Sequence, residues 1–327
     1  MGMPLYPLIE PFASGYLDVG EPHRLYYEQS GNPEGIPVVC LHGGPGSGCA
    51  PWQRCFFDPD RFHIILYDQR GAGKSQPQAC LESNTTQSLL ADLELLRHRL
   101  GLQRWIVFGG SWGATLALLY AQTCPEPVIG LVLRGVFLAR RKDRAWFFDS
   151  EGVARLFPEA YGAFLEGLNA DERIDPVMAY HRRLSGHDPG ARHAAALAWH
   201  AWEHAIVSHT LETDGKANEP DADVLAVRAS IACHYARHDY FLGDDGALAD
   251  INRLCKVPGV IVHGRRDLVC PLESAVTLHQ AWPDSALVVV DNCGHPAAEP
   301  AMQDALIGAI ETLARISHHK GHEGVQR

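Results

Sequence analysis

Short apolar runs ending in glycine- or aspartate-bearing turns alternate along this chain with stretches of helical period. Residues 38–41 run into His42-Gly43-Gly44-Pro45-Gly46, residues 63–67 into Asp68-Gln69-Arg70-Gly71, and residues 105–108 into Gly109-Gly110-Ser111-Trp112-Gly113. Further runs follow at 129–136, 260–264 and 286–291. Runs this apolar and this short belong to strands buried on both faces, the position of parallel strands covered by helices. Residues 85–100 place Leu89, Leu93, Leu96 and Leu100 on one helical face, and Gly101 closes that helix. Residues 113–120 form the pattern of a helix that begins at the Ser111 turn. The alternation predicts an α/β fold with a mostly parallel sheet.

From about residue 137 to 250 the pattern changes. Strand-like runs cease, Trp, Tyr, Phe and His become frequent, and helical periods dominate. This predicts an α-helical cap at 138–250, inserted between two parts of the core at 1–137 and 251–317, with a polar, frayed tail at 318–327. A chain of 327 residues is long enough for such a core and its insertion.

Composition narrows the partners. A net charge of −11 disfavours nucleic acid and anionic membrane surfaces. The densest basic run, Arg140-Arg141-Lys142, is followed closely by acidic residues. No apolar stretch is long enough to span a bilayer, and residues 1–11 lack the basic-then-apolar order of a secretory signal. Nine cysteines scattered singly predict free thiols in a reducing compartment, hence a cytoplasmic protein.

The chemistry lies at the strand ends. A G-x-S-x-G turn between strand and helix holds its serine in a strained conformation with the hydroxyl exposed, and its glycines avoid collision with neighbouring backbone. Ser111 is therefore the candidate nucleophile. A nucleophilic serine needs a general base, and the base needs an orienting carboxylate. Asp267 follows the run at 260–264 and His295 the run at 286–291, where an open α/β sheet puts its site. Taken singly, the first could be a turn aspartate and the second one loop histidine among 18. Together they complete the order Ser…Asp…His of the α/β-hydrolases. An oxyanion hole needs two backbone N–H groups, and Trp112 and Gly44 are the candidates.

Three other patterns compete. Gly71-Ala72-Gly73-Lys74-Ser75 resembles the end of a phosphate-binding loop, but Asp68 stands where its first glycine is required. His200-Ala201-Trp202-Glu203-His204 matches the zinc pattern H-x-x-E-H, with both histidines on one helical face. It lacks an obvious third ligand, and a histidine-rich cap helix explains it more simply, so neither metal nor cofactor is expected. Cys270 and Cys293 flank the Asp267 and His295 loops and predict sensitivity to thiol reagents.

The assembled residues resemble the proline iminopeptidases, serine peptidases of the α/β-hydrolase fold. The resemblance spans nearly the whole chain: the motifs around Gly44, Asp68 to Ser75 and Ser111, then Leu133-Arg134-Gly135-Val136-Phe137, Trp146-Phe147-Phe148, the Trp199 to Glu203 segment, and the Asp267 and His295 loops. It implies Ser111, Asp267 and His295 as a triad and a helical cap that limits access to small N-terminal substrates. It also implies Phe137 and Phe148 as pocket residues and Glu203 as the carboxylate that holds the substrate's free amine. The family typically carries a second glutamate ahead of a His-Tyr-Phe sequence. Here the segment is Ser230-Ile231-Ala232-Cys233-His234-Tyr235-Ala236, with Ala232 in place of the glutamate and Ala236 in place of the aromatic. Losing one of two anchoring carboxylates predicts amine binding weaker by a few kcal/mol. Asp239 or another cap acid is the candidate replacement.

The sequence thus predicts a serine aminopeptidase that releases an N-terminal residue, preferably proline, from small peptides or amides with a free N-terminus. An esterase or amidase on the same scaffold is the nearest alternative. A non-catalytic protein of this fold is disfavoured, because no triad member is missing.

Overall fold

The computed structural model of the chain describes residues 5–211 and 221–323, with side chains to 316. Eight strands form one sheet: β1 (Ala13–Asp18), β2 (Arg24–Gly31), β3 (Ile36–Leu41), β4 (Phe62–Tyr67), β5 (Trp105–Gly110), β6 (Val128–Arg134), β7 (Gly259–Gly264) and β8 (Ser285–Val290). Their order across the sheet is β1-β2-β4-β3-β5-β6-β7-β8. β1 pairs with β2 and β2 with β4 antiparallel, and every other pair is parallel. The six apolar runs are the six strands from β3 to β8. The β1–β2 hairpin is additional, and β1 alternates half-buried and exposed positions, so it lacks the continuous apolar signal.

Helices α1 (Thr86–Arg99) and α2 (Trp112–Thr123) precede five cap helices: α3 (Arg141–Phe148), α4 (Pro158–Glu166), α5 (Pro176–Leu184), α6 (Pro189–Val207) and α7 (Ala222–Arg237). Helices α8 (Leu272–Ala281) and α9 (Pro300–Glu323) follow. Successive strand side chains point to opposite faces, which divides the core in two. Val39, Leu41, Ile65, Val107, Leu131 and Ile261 pack with Leu89 and Leu93 of α1, Leu116 of α2 and Leu278 of α8. Val38, Cys40, Ile64, Ile106, Val132 and Val260 pack with Met302, Leu306 and Ile310 of α9. Each such side chain contributes about 1.5–3 kcal/mol on full burial. The Ser88 N–H caps α1 by donating to Thr85 Oγ1 at 3.2 Å, and Gly101 takes φ +68° just past its end.

Among the described residues, the chain between β6 and β7 holds no strand. Its helices surround an aromatic cluster in which Phe164 stacks on Tyr180 at 4.5 Å and Trp199 and Trp202 are buried. Hydrogen bonds fasten it to the core: the Trp146 indole to the Leu268 carbonyl at 2.8 Å, Tyr235 hydroxyl to Asn84 Oδ1 at 2.8 Å, and Thr86 hydroxyl to the Tyr240 carbonyl at 2.6 Å. The backbone of α9 continues to Glu323, so residues 318–323 of the expected frayed tail are helical. Residues 324–327 lie outside the described residues. Among those described, no helix is long and apolar enough to cross a membrane.

Candidate active site

Ser111 joins β5 to α2 with φ 58° and ψ −123°, a conformation that a non-glycine residue adopts only when its surroundings enforce it. The surroundings are tight: a Cβ at Gly113 would strike the Leu41 carbonyl, and one at Gly109 the Gly113 carbonyl. Trp112 is the first residue of α2, so its N–H has no intrahelical acceptor.

Asp267 and His295, 28 residues apart, meet at 2.7 Å between Oδ2 and Nδ1. The other carboxylate oxygen accepts the N–H groups of Val269 at 3.0 Å and Cys270 at 2.8 Å. Burial alone would push the Asp267 carboxyl up. The His295 charge and hydrogen bond, with His263 and the Cys270 N–H, outweigh burial and hold it below the usual carboxylate range. Beside it, His263 accepts the Val136 N–H at Nδ1 (3.1 Å) and so donates from Nε2 to the Cys270 carbonyl at 2.8 Å. Burial lowers the pKa of His263 and favours that neutral form. Arg134 donates from Nη1 to the His295 carbonyl at 2.6 Å and packs against Gly110 of the Ser111 turn.

Ser111 and His295 open into a cavity of about 320 Å³ that Gly44 also lines. Aromatic side chains line it, among them Phe137, Phe147, Phe148, Trp199 and Tyr240, and both expected pocket phenylalanines are there. Glu203 on α6 is the one carboxylate among the described lining residues. The Trp199 indole donates to its Oε1 at 2.8 Å. Burial pushes the Glu203 carboxyl up to about 7, against the opposing effects of the Trp199 hydrogen bond and the Arg228 charge. Ala232 lines the same wall, whereas Ala236 packs against the cap cluster. Asp239 does not line the cavity. Its side chain is largely exposed and pairs with Arg144 at 3.2 Å, so among the described residues no second acid replaces the missing glutamate.

The competing patterns resolve into other roles. The segment at 71–75 is a turn wrapped on Asp68, which accepts the N–H groups of Cys49 at 2.6 Å and Lys74 at 2.7 Å. His200 and His204 are neighbours with ring centres 5.6 Å apart, while Glu203 is directed to Trp199. Among the described residues, only Asp267, Cys270 and His295 bring three possible ligand atoms within 4.8 Å of one another. Asp267 and His295 are bonded to each other there, and burial keeps the Cys270 thiol well above its ordinary pKa, which disfavours the thiolate a metal requires. Cys270 lines the cavity, whereas Cys293 is buried in the core on the α9 side of the sheet and does not line it.

Sequence reasoning named no role for Arg134, His263 or Gln69. Each acts on a main-chain group of a distant segment, and the only signal for all three was membership of the motifs that carried the resemblance, which include Leu133 to Phe137, Asp68 to Ser75 and His263 to Pro271.

A family model described as alpha/beta hydrolase fold matches residues 36–300. A proline iminopeptidase of Xylella fastidiosa is 49% identical over 94% of this chain and 99% of its own length. Proline iminopeptidases of Arabidopsis thaliana and Neisseria gonorrhoeae are 47% and 44% identical, over 95% and 94% of this chain and 82% and 98% of theirs. Among solved structures, an α/β hydrolase from a Medee basin deep-sea metagenome library aligns with a TM-score of 0.66 at 17% identity, covering 91% of this chain and 97% of its own. A proline iminopeptidase-related protein of Thermus thermophilus aligns with a TM-score of 0.58 at 24% identity, covering 93% of this chain and 99% of its own. These two share the fold. With its strained serine, its Asp–His pair and relatives approaching half identity over nearly its full length, the chain belongs to the proline iminopeptidase family of α/β-hydrolases.

Proposed function

We propose that this protein is a serine aminopeptidase that releases an N-terminal residue, preferably proline, from small peptides or amides. The observation that carries the specificity is Glu203, the single carboxylate among the described residues that line an aromatic-walled cavity also holding Ser111 and His295. A protonated amine entering that cavity meets an opposite charge away from bulk water, where the pair is stronger than at a surface. Such a contact sets the distance from the free amine to the first carbonyl.

Asp267 occupies Nδ1 of His295, so Nε2 is the nitrogen left to take the Ser111 proton. Ser111 attacks the first carbonyl, and the N–H groups of Trp112 and Gly44 stabilise the oxyanion, each worth about 10²–10³ in rate. The protonated His295 then protonates the leaving amine. Water, activated by the same histidine, hydrolyses the acyl-enzyme and frees Ser111. No metal or cofactor enters these steps. The helical segment at 138–250 serves as the cap that bounds the amine end. Nine free thiols fit a reducing cytoplasm.

The esterase alternative keeps one supporting observation, Ala232 in the cavity wall, which leaves Glu203 as the one acid there among the described residues. A fluorophosphonate probe should label Ser111, and Ser111→Ala should abolish both labelling and hydrolysis of Pro-p-nitroanilide. Unlabelled protein, or a Ser111→Ala variant that still cleaves, would contradict the serine reading.

A further inference from the structure

Gln69 lies just past β4, is 2% exposed and does not line the cavity. Its backbone N–H donates to His42 Nε2 at 3.0 Å. Its side-chain nitrogen donates to the His42 carbonyl at 2.9 Å, and its side-chain oxygen accepts the Trp112 indole N–H at 2.9 Å. An indole N–H only donates and a carbonyl only accepts, so the amide has one orientation that satisfies both. We infer that Gln69 is a positioning residue that locks the two halves of the oxyanion hole to each other.

The lock works through His42. Because Nε2 accepts from Gln69, the ring proton sits on Nδ1, from which it donates to the Gly43 carbonyl at 3.0 Å. The Ser47 N–H holds the same carbonyl at 3.3 Å. That carbonyl belongs to the peptide whose N–H is Gly44's, and in a trans peptide the N–H points opposite to C=O. Fixing one end of the peptide therefore aims the other. Across the site the same Gln69 side chain holds the Trp112 ring at the start of α2, and Trp112 also packs against Tyr235 and Tyr240. The main-chain N–H of Gln69 thus sets the His42 ring. Its side-chain amide ties the His42 carbonyl, two residues before Gly44, to the Trp112 ring and is the strut between two backbone donors that come from different loops. Oxyanion stabilisation depends on donors already placed where charge will develop, so the effect belongs to the transition state and not to substrate binding.

This inference rests on Gly44 and Trp112 being the oxyanion donors. The test uses Gln69→Met, which removes both side-chain bonds, Gln69→Glu, which keeps the acceptor for Trp112 and loses the donor to His42, and Trp112→Phe, which removes only the indole N–H. Steady-state kinetics on Pro-β-naphthylamide are read beside the affinity of prolyl boronic acid, which forms a tetrahedral oxyanion mimic, and of pyrrolidine, which meets only the amine end. The expected result is a fall in kcat of about tenfold or more in each variant, an equal weakening of the boronate, and KM and pyrrolidine affinity held within about twofold. The double variant Gln69→Met/Trp112→Phe should be no worse than the poorer single one, because the two changes break one strut. A folded Gln69→Met that keeps wild-type kcat and boronate affinity overturns the inference. So does an equal loss of pyrrolidine and boronate binding, which would mean general collapse of the cavity. If Gln69→Met does not fold, Trp112→Phe decides by the same criterion. Failure of the underlying reading looks different: the wild type itself would bind the boronate no better than pyrrolidine.

Discussion

As the proposed holder of the substrate amine, Glu203 would make that site titratable. Its carboxyl is pushed to about 7, whereas an ammonium ligand requires the ionised form. Binding of pyrrolidine, which stays protonated throughout, should therefore tighten as pH rises through 7 and level off above it. About 1.5 pH units below that midpoint only a few per cent of Glu203 is ionised, so the inhibition constant near pH 5.5 should be about 30-fold weaker than its plateau. Glu203→Gln keeps an acceptor for the Trp199 indole and removes the charge, so its pyrrolidine affinity should be poor and independent of pH. The same substitution has a stability consequence of definite sign. A carboxyl raised from 4.5 to about 7 on folding costs nothing below pH 4.5, and the folded state loses about 3 kcal/mol relative to the unfolded chain as pH rises across that window. Glu203→Gln should thus be more stable than wild type at pH 8 and little different at pH 4.5. Pyrrolidine inhibition and thermal melts across that range measure both effects. A flat wild-type inhibition profile, or equal pyrrolidine affinity in the two proteins, would refute the assignment of Glu203 to the amine.

Three further outcomes follow from neighbouring residues. Ala232→Glu puts a second carboxylate on the cavity wall, which should tighten pyrrolidine about tenfold at pH 8 through another charge-assisted contact and move the Glu203 limb to higher pH by like-charge repulsion; the inhibition profile shows both. Arg134→Met removes the donor to the His295 carbonyl, so kcat should fall about tenfold at unchanged pyrrolidine affinity, one misplaced base being the cause. Cys270 lines the cavity, and burial keeps its thiol protonated, so small neutral disulfide reagents should inactivate slowly and Cys270→Ala should stay active in their presence.

The parts of this molecule legible in the sequence are those whose signal is local. A strand buried on both faces is a continuous apolar run, which made β3 to β7 visible; β8 has an equally apolar sequence but is an edge strand buried only at Ser285. The Ser111 turn was visible because its glycines answer to backbone only one or two segments away. β1 and β2 were not, since β1 alternates half-buried and exposed positions and the largely buried β2 carries Glu28, Gln29 and Ser30 in place of an apolar run, and the exchange of β3 and β4 in the sheet order leaves no mark on either strand. Asp267 and His295 could be paired because fold topology fixes the strand ends that carry them. Gln69, His263 and Arg134 could not be assigned, because what they hold is the main chain of remote loops, and any residue type offers those carbonyls and N–H groups. Asp239 shows the converse limit: an acid close to the site in sequence is directed outward to Arg144.

The most direct test of the proposed function compares kcat/KM for Pro-β-naphthylamide with that for N-acetyl-Pro-β-naphthylamide, with a p-nitrophenyl ester as reference. Acetylation removes the charge that Glu203 is proposed to hold and leaves the scissile bond intact. A preference for the free amine of about 100-fold or more corresponds to the few kcal/mol of one buried charge pair, and that is the expected result. Equal cleavage of both amides, or brisk ester turnover without amide turnover, would contradict an aminopeptidase and leave an esterase built on the same triad.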